Sequence, residues 1–365
     1  MSVLKKYNQL IPLTVAAMDM NNEDLCKKVF ETFNEFVEIK RVLGPHLPLI
    51  IQKALEVLEG GEDFSINLRE VVIYFLELIS ENYCKTLIKN HGTAFVDKII
   101  QVGFKVASED PENYSGLEVK PPELALEMIQ IFAFNVPNEK IYPILTKYIQ
   151  AAGTSQEEHE RAAATYVLGK IADPDACLDM VRDDLNSYVN FLVDRMQDSS
   201  FAVREASAET VGFFSEYVTG EFVDYHKKLM PCLLKVAKEL GGNSKNDLVV
   251  QKMLYAINEF VQCLEYDLKI YLDELITILL GYAGASQFSR DVRYWALVAM
   301  ASPILTAEKK ITPYLKQLLE FFHSVITSQN NVEQQVMGQA LTCAGRLAAA
   351  CGKDVFPMQA IDIFT

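Results

Sequence analysis

Apolar residues recur every three or four positions through most of the chain, and the recurrence stops and restarts at a nearly constant interval. Between 203 and 217, Val203, Ala206, Thr210, Phe214 and Tyr217 mark one buried helical face. The same periodicity predicts helices over 22–42, 65–90, 122–135, 157–172, 201–217, 246–264, 289–305 and 332–351. No segment of useful length alternates with the two-residue period of a strand, so an all-α fold is expected.

The helices come in pairs that repeat. GKIA (169–172), GFFS (212–215) and GRLA (345–348) occupy equivalent places in small-residue-rich helices, 43 and then 133 residues apart, the second being three steps of about 44. NEFV at 258 and ASPI at 301 fall in phase between them. An independent register comes from a second helix in each pair. It starts at LIPLTV near Pro12, LPLIIQ near Pro48, FVDKII near Asp97, YPILTK near Pro143, YVNFLV near Asn190, MPCLLK near Pro231, LDELIT near Asp273, LKQLLE near Lys316 and FPMQAI near Pro357. Proline at these starts is expected in the first turn, where no internal bond is lost. Gly60-Gly61 and Gly241-Gly242 are expected to close second helices. A period of this length belongs to HEAT or armadillo helix pairs. The architecture expected is a HEAT-repeat, right-handed superhelical solenoid of antiparallel helix pairs, one continuous array over residues 1–365 with about eight repeats. Neither end reads as a polar cap, so the sequence is expected to be a segment truncated at both ends of a longer array.

The stretch QDSSFAVREASAETVG at 197–212 gives the repeat its local logic. Ala206, Ala208 and Gly212 let neighbouring backbones approach. Asp198 belongs to the turn before the helix and Arg204 to the helix itself. Arg69 in NLREVV and Arg293 in RDVRYWA hold related positions, and the four residues are expected to build an Asp–Arg ladder between stacked repeats.

Composition narrows the function classes. There are 34 basic and 49 acidic residues, a net charge of −15, which argues against direct nucleic-acid binding and suits a basic partner. Seven cysteines, scattered at 26, 84, 177, 232, 263, 343 and 351, form no C-x-x-C pair and read as reduced thiols. The five histidines are isolated from one another. Lys5, Lys6 and the apolar run to Ala16-Ala17 resemble a short signal peptide, but Tyr7-Asn8-Gln9 interrupts it and the pattern recurs later as an ordinary helix. No apolar run reaches the roughly 18 residues of a membrane span. Phosphate-loop, dinucleotide, zinc-protease and nucleophile-elbow motifs are absent, and no nucleophile, base and orienting partner can be assembled, so neither enzyme nor cofactor is expected. Asp183-Asp184 and Asp273-Glu274 are acidic pairs whose members diverge in direction on a helix. Trp295 reads as packing on the Arg293 helix.

VREASAETVGFFSEYV, YAINEFVQCLEYDLKIYLDELITILL and GQALTCAGRLAAACG, taken in order, resemble the central third of nuclear import receptors of the importin-β (karyopherin-β) family, and most of all its importin-four subgroup. The resemblance implies stacked HEAT repeats with first helices on the convex surface and second helices on the concave one. It also implies basic cargo such as histones or ribosomal proteins, contact with phenylalanine-glycine nucleoporins, release by GTP-bound Ran, and shuttling between cytoplasm and nucleus. Within the family pattern, T-V-G-F-F-S-E at 210–216 keeps Glu216 but has Phe213 where a Gln is usual, and I-N-E-F-V-Q at 257–262 puts Glu259 where an Asn is usual. Glu216 and Glu259 are therefore candidate cargo contacts, joined by Asp194, Asp273 and Glu274 as exposed acids by helical phase. Two departures stand out: the loop 107–122 is short and only mildly acidic, and the helix at 225–240 is basic, with Lys227, Lys228, Lys235 and Lys238. The alternative function is a structural HEAT scaffold that holds a multiprotein complex together.

Overall fold

The computed structural model describes residues 10–15, 22–240, 247–327, 334–352 and 355–356. Within them the chain is helical and no strand is present. It divides into two compact units, Met1–Val181 and Arg182–Thr365. In the first unit, after helical residues 10–15, the long helices are α1 (Glu23–Phe36), α2 (Leu47–Gly60), α3 (Ile66–His91), α4 (Ala94–Ala107), α5 (Pro121–Asn135), α6 (Asn138–Gly153) and α7 (Glu158–Ile171). In the second unit they are α8 (Leu185–Arg195), α9 (Phe201–Tyr217), α10 (His226–Leu240), α11 (Asp247–Cys263), α12 (Leu272–Gly284), α13 (Arg290–Ala307), α14 (Leu315–Ile326) and α15 (Gln334–Cys351). Odd-numbered helices are the first of each pair and even-numbered ones the second. In each unit first helices pack on first helices, so every pair adds one helix to each of two layers, the construction of a HEAT-repeat solenoid.

Local chemistry sets the boundaries. Asn22 caps α1 by accepting from the Leu25 N–H at 3.1 Å, and Ser289 caps α13 by accepting from the Val292 N–H at 3.3 Å. Lys120 is extended before the Pro121-Pro122 start of α5, as a residue preceding proline must be. Gly60 ends α2, and Gly61 follows at φ 58°, a conformation that only glycine adopts without strain. Gly241-Gly242, Lys5, Lys6, Ala16-Ala17 and the anchor at Pro357 lie outside the described residues.

Two expectations change. The helix expected over 22–42 stops at Phe36 and resumes as a single turn, Lys40–Leu43; between them Ile39 leaves the helical region at φ −86°, ψ 73°, and Tyr83 of α3 donates its hydroxyl to the Val37 carbonyl at 2.5 Å. Pro143 and Pro231 are not first-turn residues. The helices begin five residues earlier, so each proline removes one internal bond from α6 or α10.

Polar contacts between repeats carry the period into three dimensions. Tyr282 of α12 donates to the Ala237 carbonyl of α10, 45 residues away, at 2.5 Å. Ser302 of α13 donates to Asn258 of α11 across 44 residues at 2.6 Å, and Cys343 of α15 approaches the Leu297 carbonyl across 46 residues at 3.2 Å. In the first unit, Lys105 of α4 reaches the Glu59 carbonyl of α2 across 46 residues at 2.7 Å. Apolar stacking follows the same interval: Phe30 meets Phe75 at 5.5 Å between ring centres, and Phe222 bridges Phe214 and Phe260 at 5.4 and 5.5 Å. Gly212 is explained here. A Cβ at this position would lie 2.3 Å from the Tyr255 ring, so glycine is what allows α11 to seat Tyr255 on α9. Gly345, its counterpart by sequence, has no atom within 4 Å of such a Cβ.

Two arginines of the expected ladder, Arg204 and Arg69, meet different partners from those expected. Arg204 donates through Nη1 to the carbonyls of Asp198 and Ser199 at 2.5 and 3.2 Å, clasping its own preceding turn. Arg161 does the same one repeat earlier, to Ser155 and Gln156 at 3.0 and 2.8 Å. The Asp198 carboxylate accepts from the Ser200 N–H at 2.9 Å and lies 3.6 Å from Arg195. Arg69, only 1% exposed, grips Glu109 with one Nη at 2.6 and 2.7 Å and Tyr114 with the other at 2.8 Å. It thus ties the loop after α4 to α3. The common device is an arginine that satisfies loop groups at the start of a first helix, where carbonyls outside the helix need donors.

Candidate functional site

The five candidate acids all belong to the second unit, but the structure distributes them over both helix layers. Glu216 (α9) and Glu259 (α11) stand on first helices and converge on one tyrosine. The Tyr255 hydroxyl donates to Glu216 at 2.9 Å. Burial, then the Glu216 hydrogen bond, then the charges of Glu216 and Glu259 push the Tyr255 hydroxyl well above its usual pKa, so it stays a donor. Glu259 accepts from Asn258 at 2.6 Å and from Gln262 at 3.4 Å. Phe213 stacks parallel to Tyr217 at 6.2 Å and meets Tyr255 edge-on at 6.4 Å. The Gln-to-Phe departure at 213 thus joins an aromatic cluster that supports Tyr255. Tyr255 was not singled out from the sequence, although it lies 43 residues after Gly212, one full period.

Asp194 (α8), Asp273 and Glu274 (both α12) are exposed on second helices. Asp273 accepts from the Tyr314 hydroxyl, whose pKa is pushed up to about 12 by burial and by this bond. Glu274 pairs with Lys238 of α10 at 2.5 Å. Lys228 of α10 donates to Asn190 of α8 at 2.9 Å. The basic second helix therefore lies in the same layer as these three acids, and two of its four lysines tie it to its neighbours. Lys227 and Lys235 are exposed and pair with no described carboxylate. Their helix also carries the exposed Glu239.

Other concave places are shallow. A cleft of about 660 Å³ lies beside the start of α10, where His226 shares a hydrogen bond of 2.9 Å with Tyr271 and lies 3.6 Å from Asp267. In the first unit an apolar groove of about 540 Å³ separates α2 from α4, lined by Leu49, Leu55 and Phe95 and bridged by Lys98–Glu59 at 2.5 Å.

The thiols do not offer nucleophiles. Burial pushes Cys84 up to about 11 and Cys177 and Cys343 up to about 12, which keeps them protonated, and all seven cysteines are free. Among the described residues no group of three or more His, Cys, Asp or Glu could hold a metal ion, and no helix is long and apolar enough to cross a membrane.

Two curated relatives match more than nine-tenths of this chain. Human (Homo sapiens) importin-4 is 25% identical over 374 residues, covering 96% of this chain and 33% of its own length. Importin subunit beta-3 of Saccharomyces cerevisiae is 23% identical over 354 residues, covering 93% and 32%. The chain thus spans about a third of the length of the curated relatives it matches. No family model matches. Among solved structures, Kap121p superposes over 99% of this chain and 36% of its own with a TM-score of 0.82 and 20% identity. Kap121p bound to RanGTP covers 100% and 35% with a TM-score of 0.78 and 20% identity. Kap121p bound to Nup53p covers 95% and 34% with a TM-score of 0.80 and 21% identity. These likenesses give the HEAT-repeat fold.

Proposed function

We infer that this chain, which belongs to the importin-β (karyopherin-β) family and fits its importin-four subgroup, is the segment of a nuclear import receptor that holds basic protein cargo on its second-helix layer. The observation that carries the reading is the match to importin-4 over 96% of the chain. The charge balance of −15 supports it, because an acidic surface raises the rate at which a lysine-rich segment is captured.

Asp194, Asp273 and Glu274 are the contacts proposed, since they are exposed and stand on the layer that the family resemblance assigns to cargo. Glu216 accepts from Tyr255, which joins α9 to α11, while Glu259 accepts from Asn258 and Gln262 of its own helix. Histones and ribosomal proteins are the cargo classes proposed. GTP-bound Ran and a phenylalanine-glycine nucleoporin are the proposed transport partners, the first because Kap121p has been crystallised with RanGTP. The receptor so described shuttles between cytoplasm and nucleus, and no enzymatic step is assigned to it.

The test is titration of a labelled lysine-rich histone-tail peptide at about 50 and 200 mM salt, followed by GTP-bound Ran. Salt-weakened binding that Ran displaces is the expected result. Absence of binding at both salt concentrations, with capture of folded proteins instead, would favour the scaffold reading.

A further inference from the structure

The basic helix α10 sits in the layer that is proposed to hold basic cargo, and this arrangement imposes a charge order on the ligand. The hydrogen bond between Lys228 and Asn190 sets α8 against α10 with an offset of 38 residues. Carried along the two helices, that offset places Asp194 level with Cys232, within one turn of Lys235. The Lys238–Glu274 pair sets α10 against α12 in the same way and brings Asp273 and Glu274 to the same end of α10. Across three successive second helices the exposed charges therefore read acid, mainly base, acid: Asp194, then Lys235 and Lys238 with the single acid Glu239, then Asp273 and Glu274.

Lys238 is largely offset by Glu274, and Lys227 stands at the cleft that also holds Asp224 and Asp267. Among the described residues Lys235 is in no ion pair, with the exposed Glu239 four residues further along the same helix. It leaves a positive charge that no carboxylate holds between the acidic positions of α8 and α12. Neighbouring second helices lie about 10 Å apart, so crossing three of them covers about 20 Å. An extended peptide covers that distance with about six residues.

We propose that Lys235 is a specificity-determining residue: the second-helix surface of α8, α10 and α12 selects an extended segment whose charges run basic, acidic, basic over about six residues, and disfavours an unbroken run of lysines. The proposal rests on the reading of this surface as a cargo surface and adds the order of charges that it accepts. A lysine opposite Lys235 meets like charge, while an aspartate or glutamate there gains an ion pair that a scrambled peptide of equal net charge places elsewhere.

The experiment uses the whole chain and three labelled nine-residue peptides in anisotropy titrations at low salt. One has two lysine triplets separated by Asp-Glu-Asp, one has the same residues with the acids at one end, and one has the triplets separated by Gly-Ser-Gly. The expected order is basic–acidic–basic first, by about fivefold over the scrambled peptide, the worth of one exposed ion pair. Lys235→Glu should invert the preference in favour of the Gly-Ser-Gly peptide, and Lys235→Gln, which removes the charge without reversing it, should fall between. Both substitutions are on an exposed position, and circular dichroism checks that the helices are retained. Equal binding of the ordered and scrambled peptides, or a ranking that Lys235→Glu leaves unchanged, overturns the charge-order proposal while the cargo reading stands. If none of the three binds, the cargo surface itself is refuted and the charge order with it.

Discussion

Gly212 and Gly345 hold the same place in the repeat and differ in what surrounds them. At Gly212 an added methyl runs into the Tyr255 ring, and at Gly345 it meets open space. Gly212→Ala is expected to lower stability by about 1–3 kcal/mol, the usual cost of overpacking, and to disturb the Tyr255–Glu216 bond. Gly345→Ala is expected to raise it by about 0.5–1 kcal/mol through helix propensity alone. Denaturant midpoints of the two variants check the contrast. Glu77 of α3 supplies a pH test. Burial first, then the charges of Glu127 and Glu81, raise its pKa from 4.5 to about 7. A folded-state carboxyl with a raised pKa binds its proton more tightly than the unfolded chain does. Its stabilising effect is complete below pH 4.5 and is lost as pH rises through about 7. Glu77→Gln should therefore raise the melting temperature at pH 8 and leave it nearly unchanged at pH 4, as thermal melts at the two pH values would show.

At the scale of the helix, the arginines mark where each first helix begins. Arg161 and Arg204 use identical spacing, reaching back five and six residues to the carbonyls of the turn before them. Arg69 serves the loop after α4 instead, and its partner Glu109 is 20% exposed. Removing one member of such a pair strands a buried charge. Glu109→Gln is expected to cost about 3 kcal/mol and to loosen the segment 108–120, which limited proteolysis would detect as new cleavage there. Helix placement was largely legible in the sequence, because apolar periodicity and the 43-residue step both follow from backbone geometry. Helix starts at Pro143 and Pro231 were less so, since a proline six residues into a helix and one in its first turn read alike until packing shows where the helix begins. The break at Phe36 was hidden for a related reason: the segment after it is held by a hydroxyl 46 residues away.

At the scale of the whole molecule, the repeat period and the all-helical paired architecture were readable, because each is carried by many residues in order. Individual polar partners were not. The sequence offers Arg204 a nearby Asp198 carboxylate, yet the turn geometry delivers backbone carbonyls instead. It offers Glu216 and Glu259 as exposed acids, yet the repeat sets Tyr255 against Glu216, and Glu259 accepts from its own chain neighbour Asn258. Which lysine of α10 reaches which neighbour depends on helix offsets of 36 to 38 residues rather than on the 43-residue average. The division of the candidate acids between two layers is the feature that makes the account testable. In a titration of the histone-tail peptide, Asp194→Lys with Asp273→Lys is compared with Glu216→Lys and with Glu259→Lys. The account predicts that the second-helix double variant loses at least about tenfold in affinity, the effect of two lost charge contacts, while the first-helix variants bind like the parent. Full binding by the double variant, or loss of binding only in the first-helix variants, would contradict it.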